Sequence, residues 1–98
     1  LTAQPVDAPE AHRIGLVHRL ASGDQVLTET EKLASHIAAG APVALRYVKE
    51  AINKGTDLTL QQGLGLECDL YMILQTTQDR IEGITAFREK KQPLFRGE

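Results

Sequence analysis

From Val43 to Leu74 apolar side chains return every three or four residues, and the pattern breaks only around Gly55. That spacing is the repeat of an α-helix rather than the alternation of a strand. Val43, Ala44, Leu45, Val48, Ala51 and Ile52 form one stripe, with Arg46, Lys49, Glu50 and Asn53 on the polar side. Pro42 suits the first turn of this helix, where a missing N–H costs nothing, and Gly55 is the expected stop. Asp57 or Thr59 caps the next helix, which carries Leu60, Leu64, Leu66, Leu70, Tyr71, Ile73 and Leu74. Gly63 and Gly65 within it each cost about 1 kcal/mol relative to Ala, so they read as points of close backbone packing. Thr77 caps a last helix reaching about Lys90, and Pro93 prevents its continuation.

The first forty residues are punctuated more closely. Asp7 and Glu10 have capping-box spacing, Pro9 fits the first turn, and Gly15 ends that short helix. Leu16 to Leu20 reads as a short extended segment. Ser22-Gly23-Asp24 makes a turn, with Asp24 as N-cap of a helix running to about Ala39. Leu27, Leu33, Ala34, Ile37 and Ala38 lie largely on one face of it, and Gly40 stops it. The fold class that follows is all-α, with four to five short helices and short loops.

Helices of this length are marginal in water and depend on packing their apolar faces. The chain is 42% apolar and 24% charged, the balance of a soluble globular protein, but only 4% aromatic and without Trp. Its core must be built from Leu, Ile, Val and Ala. The faces around Leu70–Leu74 and Ile81–Phe87 are too apolar for a free surface and should meet another body. The single cysteine, Cys68, excludes an internal disulfide and agrees with a reducing compartment such as the cytoplasm. No apolar run approaches the roughly 20 residues of a membrane span. Leu1 opens directly into polar sequence without an initiator Met, so the chain reads as a piece of a longer one, with no secretory leader visible.

A formal net charge of -2 argues against a general nucleic-acid binder. Five of the eleven basic residues nevertheless fall in the last nineteen positions: Arg80, Arg88, Lys90, Lys91 and Arg96. They are either a mixed solvated surface or a local site for phosphate. Reactive constellations are absent from the pattern. His12, His18 and His36 lack metal-ligand spacing, and Cys68, on an apolar helix without a basic neighbour, reads as a buried inert thiol. Glu29 and Glu31 read as solvated first-turn acids, Glu67 and Tyr71 share a helix face, and Glu82 reads as a structural or capping carboxylate. No self-sufficient catalytic set is present.

The tail Asp79-Arg80-Ile81-Glu82-Gly83-Ile84-Thr85-Ala86-Phe87-Arg88-Glu89-Lys90-Lys91-Gln92-Pro93-Leu94-Phe95 resembles the closing pattern of the crotonase (enoyl-CoA hydratase/isomerase) superfamily. The likeness runs through the chain in order. Leu1 to Ala11 resembles that family's L-T-G-x-x-[IV]-x-A-x-E-A segment, with Ala3 in place of the usual Gly, and Gly15-Leu16-Val17 follows. Ala34, Ile37, Ala38 and Pro42, then Lys49, Ala51 and Asn53, then Leu60, Gly63, Leu64 and Glu67 match its helical runs, while Lys91 stands where Arg is commoner.

The resemblance implies an α/β subunit with a β-β-α spiral core preceding Leu1. Residues 1–20 would then end the core region, and residues 21–98 would be a C-terminal helical oligomerisation domain. It also implies trimers, often stacked into hexamers. Two core glutamates would handle the water added across the 2,3 double bond of an acyl-CoA, and two backbone N–H groups would hold the thioester oxyanion. None of these groups lies in this chain. Within it, the resemblance implies that Lys90 pairs with a phosphate of the CoA adenosine and that Tyr71 and Phe87 border the nucleotide or acyl region. Acyl-CoA is then the substrate, and no separate cofactor, metal, nucleic acid or membrane is called for. A different reading of the same helices is a non-catalytic oligomerisation module. Isomerase, decarboxylase and thioester-hydrolase chemistry also occur on this scaffold.

Overall fold

Side-chain oxygens placed to accept orphan amides begin three of the helices. The computed structural model describes residues 3–98; Leu1 and Thr2, where the family-like opening begins, lie outside the described residues. Helix α1 spans Ala8–Arg13, and Asp7 Oδ1 accepts from the Glu10 amide at 2.8 Å. Only half of the expected capping box forms. The Glu10 carboxylate turns to Arg13 instead, with two bonds of 2.6 Å, because a bidentate guanidinium is a stronger partner than one amide. The backbone then enters the left-handed region at Gly15, φ 78°, where a side chain would be strained.

Leu16–Leu20 joins no ladder among the described residues. Its first two amides, those of Leu16 and Val17, bond back to the Ala11 carbonyl at 2.8 and 3.3 Å, and His12 Nδ1 lies 3.2 Å from the Val17 carbonyl. Helix α2 spans Val26–Ala38 and starts one residue later than an Asp24 cap requires. The Ser22 carbonyl accepts from both Gln25 and Val26, so Asp24 is spent inside that turn. No residue of α2 is buried, and its apolar face stays open to solvent.

The chain divides into two compact units, one ending at Ser35 and the other comprising His36–Glu98, with the break inside α2. In the first unit Ala11 is the buried apolar residue. The second holds α3 (Pro42–Gly55), α4 (Leu60–Leu74) and α5 (Gln78–Glu89). Pro42 and Gly55 bound α3 as the residue pattern demands. Helices α3 and α4 form the one extensively packed pair among the described residues, with Leu70 buried against α3.

Helix α4 opens with a complete capping box. Thr59 Oγ1 accepts from the Gln62 amide at 3.3 Å, and Gln62 Oε1 accepts from the Thr59 amide at 3.1 Å. Replacing Thr59 by Ala removes both the acceptor and the reason for Gln62 to fold back. The expected cost is about 1 kcal/mol, read as roughly fivefold to tenfold faster amide exchange in the first turn of α4.

The glycines of α4 do not mark close packing. A methyl group at Gly63 would meet only the Gly55 carbonyl at 3.9 Å, and one at Gly65 would meet nothing within 4 Å. Cys68 is exposed, not buried, because α4 turns Leu70, Tyr71 and Leu74 toward α3 and leaves Cys68 off that face. No large side chain is fully buried among the described residues. Leu60 is 80% exposed and Phe87 86% exposed, with Leu64, Ile81 and Leu94 also open. Burying each is worth about 1.5–3 kcal/mol, so a handful of them outweighs the margin by which most domains are stable. No described helix is long and apolar enough to cross a membrane.

Candidate functional site

Two apolar hollows follow the α3–α4 seam. Tyr47, Val48, Ala51, Ile52, Glu67, Leu70, Tyr71 and Leu74 line one of about 330 Å³. Glu67 and Tyr71, four residues apart on α4, share this face as their spacing requires. Tyr71 and Leu74 also border a second hollow of about 340 Å³, with Ala44 of α3, Gly83 and Ile84 of α5, and Phe95. Tyr71 therefore stands between the two, 61% exposed. Neither Phe87 nor Lys90 lines either hollow. Phe87 projects from α5, nearly bare. The residues singled out from the sequence thus lie on one unit but do not converge on a common cavity there.

Helix α5 begins at the Thr77 cap, whose Oγ1 accepts from the Arg80 amide at 3.2 Å. It ends at Lys90, which adopts φ 54° and ψ 38°. The amides of Lys90 and Lys91 close the last turn on the carbonyls of Phe87 and Ala86, at 3.3 and 3.0 Å. This is a left-handed helix end of the kind usually reserved for Gly. Lys91 Nζ pairs with Glu89 at 2.8 Å, and that hydrogen bond holds the Lys91 ammonium pKa above its usual value. Among the described residues no carboxylate pairs with Lys90.

The other shifted groups are exposed surface pairs: Arg13 draws the Glu10 carboxyl down, and Lys32 does the same to Glu29. Such pairs contribute little to stability. No cluster of three metal-ligating side chains occurs among the described residues.

The residue that sequence reasoning passed over is Asp79. It is 3% exposed, the one buried charged side chain among the described residues. Its carboxylate accepts from the Arg96 amide at 2.7 Å and the Gly97 amide at 2.8 Å, while its own amide donates to the Glu98 carbonyl at 3.1 Å. Glu82 has the structural role its position suggested, accepting from the Leu94 amide at 2.9 Å. Between them the Phe95 ring covers Gly83, 3.4 Å from where a Cβ would stand. Gly97, at φ 80°, lets the chain end turn beside Pro42. The tail thus folds back antiparallel along α5. Two carboxylates three residues apart on one helix face, followed by an extended Pro-Leu-Phe run, were the available signal.

This tail joins four positions of the closing motif, Asp79, Glu82, Gly83 and Phe95, in one set of contacts. The family model for enoyl-CoA hydratase/isomerase matches residues 1–98, the whole chain. The chain belongs to the enoyl-CoA hydratase/isomerase family. A short-chain-enoyl-CoA hydratase of Clostridioides difficile is 42% identical over 87 residues, which is 89% of this chain and 56% of that protein. A crotonyl-CoA hydratase of Syntrophomonas wolfei is 36% identical over 94 residues, 96% of this chain and 36% of that one. The crystal structure of an enoyl-CoA hydratase from Bacillus anthracis superposes with a TM-score of 0.91 at 37% identity, covering 93% of this chain and 35% of its own. The chain therefore spans roughly a third to a little over half of these relatives. The all-α reading holds for the described residues, and the neighbours share the crotonase fold.

Proposed function

We propose that this chain is the C-terminal helical part of an enoyl-CoA hydratase-like subunit. The complete protein adds water across the 2,3 double bond of an acyl-CoA, and this part supplies subunit contacts and a portion of the CoA site. The observation that carries the reading is the set of large apolar side chains left open on α2, α4 and α5, Leu60 and Phe87 above all. A free-standing enzyme of 98 residues would have to bury them and hold a catalytic set of its own. In the proposed subunit they pack on a preceding core and on neighbouring copies in a homotrimer or hexamer. The two glutamates and the oxyanion hole belong to that core.

Lys90 is the residue of this chain proposed to meet CoA. A lysine at the end of a helix offers a compact charge on a long stem, suited to the adenosine phosphate. Tyr71 and Phe87 are proposed to border the nucleotide or acyl region, offering aromatic faces for stacking. In the complete subunit, replacing Lys90 by Ala is expected to raise KM for crotonyl-CoA about tenfold, one charge-assisted bond, while kcat stays within about twofold. An unchanged KM removes Lys90 from the site.

The 98-residue chain alone is expected to show no turnover of crotonyl-CoA. Measurable hydration by it would place catalytic groups within these residues and overturn the assignment. The reading as a bare oligomerisation module predicts instead that the complete protein also lacks turnover. Isomerase activity without hydration would favour the other branch of the family.

A further inference from the structure

We propose that Asp79 is a positioning residue for Lys90, acting through the returned tail; the inference rests on the CoA-phosphate reading of Lys90 given above. Asp79 opens α5 and Lys90 ends it, eleven residues on, which is about 16 Å of helix rise. The two side chains are too far apart to touch. The tail connects them.

Three attachments run back along the helix in order. Leu94 is held by Glu82, the Phe95 ring lies over Gly83, and Arg96 and Gly97 are held by the buried Asp79 carboxylate. The segment between Glu89 and Leu94 is therefore a loop anchored at both ends, and Lys90 is its first residue. Its backbone sits at φ 54°, a conformation that is costly for a residue with a Cβ. Local capping by the Lys90 and Lys91 amides recovers part of that cost, and the anchored tail supplies the rest. When the tail is released, the strained turn relaxes toward right-handed or extended backbone. The Lys90 side chain then leaves from a different direction. A buried carboxylate with two backbone amides is well suited to fix that direction.

The test uses the complete subunit with two substrates, crotonyl-CoA and the crotonyl thioester of pantetheine, which lacks the adenosine phosphate. Asp79→Asn keeps the side-chain shape but forfeits one of the two amide bonds. It is expected to raise KM for crotonyl-CoA about fivefold, with kcat within twofold and KM for the pantetheine thioester unchanged. The Asp79→Asn/Lys90→Ala double variant should be no worse than Lys90→Ala alone. Should Asp79→Asn not fold, Glu82→Gln, which loosens the exposed attachment at Leu94, is read in its place by the same criteria.

Equal changes on both substrates, or a fall in kcat, mean a general structural role and overturn the inference. So does an unchanged KM for crotonyl-CoA while Lys90→Ala raises it, a result that leaves the Lys90 reading standing. If Lys90→Ala itself changes nothing, both fall together.

Discussion

Replacing Asp79 by Ala is expected to detach the last five residues from α5 at a cost of about 3 kcal/mol. Each bond from a backbone amide to this buried carboxylate is charge-assisted, and such bonds contribute about 1.5–3 kcal/mol. The full sum is not lost, because the Arg96 and Gly97 amides regain water once the tail lifts away. The substitution also removes the force keeping Phe95 over Gly83. Amide exchange at Leu94, Arg96 and Gly97 is the direct measurement. About hundredfold loss of protection is expected, since 1.4 kcal/mol is a factor of ten. Protection unchanged at these three amides would mean that Glu82 and Phe95 alone hold the tail, and that Asp79 is incidental.

The second large effect is expected at Leu70. It is the one large apolar side chain buried among the described residues, at 8% exposure, and it lines the seam between α3 and α4. Leu→Ala substitutions in cores cost about 2–5 kcal/mol, the spread reflecting how far the site collapses. Here the seam is already open on one side, so water enters the new space and the cost falls toward the lower end, about 2–3 kcal/mol. Exchange of the interior amides of α3 and α4 should accelerate about fiftyfold together, because they are the pair of helices that support one another.

Leu60→Ala supplies the comparison. In the 98-residue chain it should cost almost nothing, with the side chain 80% exposed. In the complete subunit a cost above 1 kcal/mol is expected if α4 docks there. An equally small effect in both would count against the docking of that face.

The contrast between Thr59 and Asp79 shows which features could be read from the chain alone. Thr59, Thr77 and Asp7 each take up an amide three residues ahead. An interaction of that range depends only on residue type and order. The same holds for Pro42 and Gly55 as the bounds of α3.

Local rules went wrong where two local partners competed. Arg13 took Glu10 from its capping box, and the Ser22 carbonyl drew the turn onward past Asp24. They also went wrong where a helix had two apolar sides. Periodicity could not say that α4 would turn Leu70 inward and leave Cys68 outside, or that Gly65 would face open space.

For the candidate site, the sequence brought Tyr71, Phe87 and Lys90 forward through resemblance and helix-end chemistry. It passed over Asp79 as one more charge in a mixed run. The bonds that bury Asp79 join residues seventeen and eighteen positions apart. No helical period or capping rule reports a contact across that distance. Residue order by itself determined the all-α character, the helix start at Thr77 and the family, and it narrowed the start of α4 to Asp57 or Thr59. The antiparallel return of the tail, the burial of Asp79 and the left-handed turn at Lys90 were decided only in three dimensions. Chain reversal brings the Arg96 and Gly97 amides to a carboxylate that would otherwise keep its water.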